Sequence, residues 1–377
     1  MIRSLLKELV NRIEHLREVL SGDDFHPQLN QAYLKQTETR LHGLKMDVLK
    51  TLNDSSWGIP GTNANFYSDY QRSNEHLLQL EYYGVQVLRH FGEPELYFNA
   101  LMRRLWQEMG VSGTPPLVTT ISTNSNHFWA LAAYDLIGAP PGEAAHLLNI
   151  PDLLHETGHV LLNYHNVSYP NLTGRINEHI DRVYQAECWA VEDQERSKEL
   201  VPTLNQWKAR WRKAWQAEFA CDLIATYFLG PAYAWTNLKL SVSERLGDVY
   251  DTQSETHPSH EARMRCINGM LMRMGYVQEA EQITQLWQEF LTLPAYNRPL
   301  HYDMAFPDEL INQLTQNVYE GCRNQDWLSY DDQCRQVGQP IASLLNQAWE
   351  ILQTRPEDYP QFEQRTVAQL WESFKQV

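Results

Sequence analysis

The chain is poor in cysteine, in basic charge and in long apolar runs. Its five cysteines, Cys188, Cys221, Cys266, Cys322 and Cys334, form no CxxC pair and are odd in number. That suits a reducing compartment better than a disulfide framework. No stretch reaches 18 uncharged apolar residues, which excludes a membrane-spanning helix. The first twenty residues carry a charge every third or fourth position, so they lack the apolar core of a secretory signal, and a cytoplasmic location is expected. Lys and Arg number 31 against 47 Asp and Glu, a formal charge of −16. Such a surplus repels phosphate at long range, so no nucleic-acid partner is expected. A glycine-rich phosphate loop, a GxSxG turn, internal repeats and low-complexity tracts are all missing.

What remains is material for a large core. Hydrophobic residues make up 43% of the 377, with 12 Trp and 19 Tyr, which excludes general disorder. Leu6, Leu9, Ile13, Leu16 and Leu20 form one helical stripe, and Leu34, Leu41, Leu44, Val48 and Leu52 form a second. A helical hairpin over 1–60 follows, which either packs on the core or docks a partner. A turn-rich stretch from Asn53 to Ser68 marks the first boundary. Helical patterns resume at Leu77–His90 and Leu96–Met109. The β-branched run 114–122 reads as a strand, and nearly everything from Phe128 onward reads as helix. The fold class is therefore α+β, helix-dominated, with a small sheet and a helical C-terminal region over 276–377.

Residues 155–159 read His155-Glu156-Thr157-Gly158-His159. On a helix the two histidines lie one turn apart on one face and can reach a single metal ion. Glu156, rotated about 100° from His155, can reach a metal-bound water without being a ligand. Pro151, Asp152 and the leucines around the motif support a helix. Gly158 inside it costs about 1 kcal/mol against Ala and suggests close approach by another element.

A catalytic zinc site needs a third protein ligand and an open fourth position. His165 has the metzincin spacing, but Leu162 stands where the chain must turn sharply. Glu178, with Asp181 beyond it, sits in strongly polar surroundings that favour a solvated face. Glu218 and Asp222 lie one helical turn apart in the otherwise apolar run from Ala217 to Gly230, where acids are expensive without a cation or a metal. Glu218 as ligand, with Asp222 accepting from a ligand imidazole, resolves that cost and is preferred.

HExxH at 155–159, followed by Glu218-x-x-x-Asp222 and by His257-Pro258 with Arg263, resembles the gluzincin metallopeptidases. The last element is similar to the HPxxxxR segment of the CaaX-endopeptidase-like gluzincins and their soluble minimal relatives. The resemblance spans roughly residues 115–275. It implies a zincin-like catalytic domain, taken as 61–275, with the glutamate helix packed beside the zinc helix. It also implies that a strand, here Leu117–Ser122, aligns the substrate backbone. By the same resemblance His257 helps to stabilise an oxyanion and Arg263 anchors nearby carboxylates. Read without it, Pro258 starts a helix, His257 caps it, and His260 is an ordinary surface residue. The chain departs from the family in having no membrane spans and in a polar helical insertion at about 175–213.

The expected activity is zinc-dependent hydrolysis of a peptide or protein substrate. Zn2+ is held by His155, His159 and Glu218, with Glu156 as general base. The alternative is a zincin-fold protein that has lost catalysis and serves as a binding or regulatory module. Trp207, Trp211 and Trp215, interleaved with Lys208, Arg210, Arg212 and Lys213, are expected to form the buried stripe of the helix leading to Glu218.

Overall fold

A computed structural model of the chain describes residues 2–22, 25, 31–59, 62–121, 128–140, 142–165, 172–193, 200–243, 249–292 and 298–375. The chain opens with α1 (Ile2–Gly22), α2 (Gln31–Leu52) and α3 (Asn63–Gln79). The last runs on through a π-helical stretch (Leu80–Gln86) into a short α4 (Val87–Arg89). Helix α5 (Glu93–Glu108) precedes β1 (Leu117–Thr119), β2 (Trp129–Leu131) and β3 (Leu136–Gly138). Next come α6 (Ile150–His165), α7 (Leu172–Asp193) and α8 (Leu200–Arg210), which passes through a π-helical turn (Trp211–Trp215) into α9 (Gln216–Leu229). Helices α10 (Pro231–Ser243), α11 (His260–Met274), α12 (Val277–Leu291) and the one-turn α13 (Tyr302–Ala305) follow. The chain ends with α14 (Asp308–Asn324), α15 (Tyr330–Val337), α16 (Ile341–Thr354) and α17 (Tyr359–Lys375). The architecture is α+β and helix-dominated, as the sequence pattern requires. Among the described residues no helix is long and apolar enough to cross a membrane.

The three strands form one sheet in the order β1-β3-β2, with β1 parallel and β2 antiparallel to β3. It stands between two hydrophobic cores, and the two-residue period of a strand divides its side chains between them. The paired residues Leu117 and Leu136 face the smaller core, while their neighbours Val118 and Ile137 face the larger one. Leu6, Leu9, Ile13 and Leu20 of the first stripe join Leu41, Leu44 and Val48 of the second in the smaller core. The hairpin's apolar faces are thus covered within the chain. The larger core holds Leu153, Leu154 and Phe219 and continues into the C-terminal helices as far as Phe374.

Two expectations are corrected here. The run from Phe128 to Gly138, read as helix, contains β2 and β3. These strands are only three residues long and are held by pairing and by packing, since Trp129 lies directly over Gly138, where a Cβ would sit 1.9 Å from the indole. The segment Leu117–Ser122, expected to align a substrate, has no edge to offer. One side of β1 pairs with β3. On the other, Asn99 of α5 accepts from Val118 N at 3.0 Å and donates to Val118 O at 2.7 Å, and Glu95 accepts from Thr120 N at 2.8 Å. Ser122 itself lies outside the described residues. The edge strand of the sheet beside α6 is β2.

Candidate metal centre

The HExxH segment is helical, and α9 crosses α6 at close range where Gly158 meets Cys221. A Cβ at position 158 would stand 2.9 Å from Cys221 Cα. The missing side chain therefore lets two helices bring their donors together. His155, His159 and Glu218 place their ligand atoms within 4.8 Å of one another. Glu218 Oε2 lies 3.3 Å from His155 Nε2, and Glu218 Oε1 lies 3.5 Å from His159 Nε2. A tetrahedral ion bound at about 2.0–2.1 Å holds neighbouring donors about 3.3–3.4 Å apart; each histidine nitrogen stands near that distance from a different Glu218 oxygen, and the nitrogen and oxygen donors are of the kind such an ion takes.

Asp222, one turn after Glu218 and fully buried, organises the ring behind the site. Its Oδ1 accepts from His155 Nδ1 at 2.9 Å, which leaves the Nε2 lone pair of that ring for a metal. Arg263 of α11 grips the same carboxylate through two bonds of 2.8 and 2.7 Å. Tyr233 of α10 donates to it at 2.5 Å.

Burial opposes charge on His155, yet hydrogen bonds to Asp222 and Glu218 prevail and raise its pKa well above the ordinary value. The two acids that favour a proton on that ring equally favour a metal cation beside it. His159 is pushed down to about 4, by burial first and by His155 second, so its imidazole is in the neutral form a ligand requires. Burial also opposes the Glu218 carboxylate, but the bond from His155 and the charges of the surrounding histidines bring it down to about 2. Glu156, partly open to solvent and outside the ligand set, is pushed up to about 7 by burial.

These residues line a cleft of about 780 Å³. Phe128, Trp129 and Ala130 line it from the edge strand β2, and Ser254, Thr256, His257 and Pro258 line it from the loop before α11. His257 Nε2 lies 3.7 Å from Glu218 Oε2.

Of the residues the sequence singles out, Glu156, His155, His159, Glu218, Asp222, His257 and Arg263 come together. Glu178 does not: it is exposed on α7, while its neighbour Asp181 pairs with Lys208 at 2.8 Å and with Arg212 at 2.5 Å. The side chain of His165 lies outside those described. The cap before α11 is Ser259, whose hydroxyl accepts from Ala262 N, and not His257. His260, read as a surface residue, is 7% exposed, meets Ser241 Oγ at 3.1 Å and lines the cleft. Tyr233 and the β2 wall escaped the sequence reading altogether.

The Gly158–Cys221 contact makes a prediction. Gly158→Ala gains about 1 kcal/mol of helix propensity, but a methyl group forced against backbone costs about 1–3 kcal/mol. The expected result is a lower melting temperature together with weaker metal binding, read by a chelator competition titration. Unchanged affinity would mean that α6 and α9 can part without moving the donors.

A scan against protein-family models, a search of the curated proteins and a search of the solved structures each find no match to this chain.

Proposed function

We propose that this chain is a zinc-dependent peptidase with a zincin-like centre. One observation carries the reading: two imidazoles and a carboxylate bring their donor atoms within 4.8 Å of one another, with Glu156 and strand β2 lining the same cleft. His155, His159 and Glu218 would hold zinc, which when bound polarises a carbonyl and lowers the pKa of its water towards about 7. Glu156 takes the proton of the attacking water and passes it to the leaving amine. His257 donates to the oxyanion of the tetrahedral species. An extended peptide would lie along β2, the last strand of the sheet and part of the cleft lining, since main-chain pairing holds a substrate regardless of its side chains. Asp222 and Tyr233 fix His155 from behind, while Arg263 grips Asp222 and also lines the cleft.

Metal analysis of the purified protein, with digestion of a quenched peptide library, tests this. About one zinc per chain is expected, one for the cluster of His155, His159 and Glu218 found among the described residues. Glu218→Ala should lose it, and hydrolysis should stop with chelator and return with zinc. A chain that binds no zinc after reconstitution would sink the reading. Full zinc occupancy without hydrolysis would instead favour a binding module.

A further inference from the structure

The helical insertion that the family resemblance leaves without a purpose ends against the loop that carries His257. We infer that Trp207, Arg210 and Trp215 are positioning residues that hold this loop so that His257 faces the centre, an inference that rests on the peptidase reading for the role of His257.

The sequence pattern alone makes the tryptophans a buried stripe, and they are buried, at 4% exposure for Trp207 and 0% for Trp211 and Trp215. A buried indole needs an acceptor for its N–H. The choice of acceptor is the informative part. Trp207 Nε1 donates to Thr252 O at 3.2 Å, Arg210 donates to the same carbonyl at 2.7 Å, and Trp215 Nε1 donates to Ser254 O at 3.1 Å. Three donors from one helical segment thus converge on two nearby carbonyls.

From there the constraint passes to His257. Ser254 Oγ accepts from His257 N at 3.0 Å and from Thr256 N at 3.3 Å. Thr256 Oγ1 lies 3.0 Å from His257 Nδ1, and a hydroxyl donating there leaves the ring proton on Nε2, on the side of Glu218. At its far end the loop is held by Ser259, which caps α11 and meets the hydroxyl of Tyr302.

Residues 251–259 belong to no helix or strand, so these bonds from outside the loop fix its path. The imidazole of His257 is 62% exposed, yet its Nε2 stands 3.7 Å from Glu218. The π-helical turn Trp211–Trp215 contains the anchor Trp215 and runs directly into α9, which carries Glu218.

Arg210→Ala and Trp215→Phe test the inference, the second keeping an aromatic ring and removing only the donor. Each is expected to lower kcat about tenfold, as a misplaced catalytic group does, with KM and zinc content unchanged. In a His257→Ala background neither should cost anything further, because no imidazole remains to be positioned. Equal losses in both backgrounds would mean a merely structural role and would overturn the inference. Should the wild-type chain hydrolyse no peptide, the peptidase reading fails separately. Hydrogen exchange on the zinc-loaded protein then decides. Faster exchange at Thr256 and His257 in both variants, with α6 unchanged, supports the anchor, and unaltered exchange there refutes it.

Discussion

Glu156→Gln lowers peptide hydrolysis by at least about 10²-fold and leaves metal content unchanged, because the amide has the shape of the carboxylate but cannot accept the proton of water. The two proposed roles fall on different side chains. Glu156 stands beside the ligand set His155, His159 and Glu218 and is not part of it, so its loss removes no donor to the ion. Stability should hold or improve. Burial already pushes this carboxyl up to about 7, which means that the fold gains nothing from a charge there, and a neutral side chain of equal volume relieves the cost. The check is kcat on a quenched peptide, with metal by mass spectrometry and a thermal melt on the same preparation. Near-normal turnover would remove Glu156 from the chemistry. Loss of metal along with activity would make it a ligand.

Much of this centre is legible in the sequence because its parts violate local rules. Two acids in an apolar helix, Glu218 and Asp222, need partners, and the chemistry of those partners follows from two histidines one turn apart elsewhere. Gly158 breaks helix propensity where Cys221 comes close. The walls of the cleft are a different matter. Strand β2 is three residues long, and its partner β3 follows so soon that no alternation develops to betray either. Strand β1 looked available because nothing in its own residues reveals that Asn99, on the preceding helix, closes its outer edge. Tyr233 carries no local signal: a tyrosine after a helix start is ordinary until Asp222 is found beneath its hydroxyl. The tryptophan stripe shows burial in the sequence but not the destination of its N–H groups, since acceptor carbonyls are the same in every residue.

The fold and the metal site meet at Asp222, and its removal should be felt in both. Asp222→Ala leaves the guanidinium of Arg263, 13% exposed at the cleft, without the carboxylate that grips it at 2.7 and 2.8 Å. Breaking a buried pair from one side costs about 3–5 kcal/mol, because a charge stays desolvated with nothing opposite it. The hydroxyl of Tyr233 loses its acceptor at the same stroke. Asp222→Asn is the gentler probe. It preserves volume and still accepts from His155 Nδ1, yet it no longer balances Arg263, and metal affinity should fall by about 10–100-fold, the usual effect of losing a partner behind a ligand histidine. Denaturant melts of Asp222→Ala, Arg263→Ala and the double variant separate the contributions. The double variant should lose less than the two single losses added, since each single change strands a charge that the other removes. Chelator should leave the Asp222→Ala deficit in place, because the ion pair with Arg263 exists whether or not the donors hold a metal. A deficit that disappears with chelator would mean that Asp222 stabilises the chain only through the metal. Its bond to His155 at 2.9 Å would then matter, and its grip on Arg263 would not.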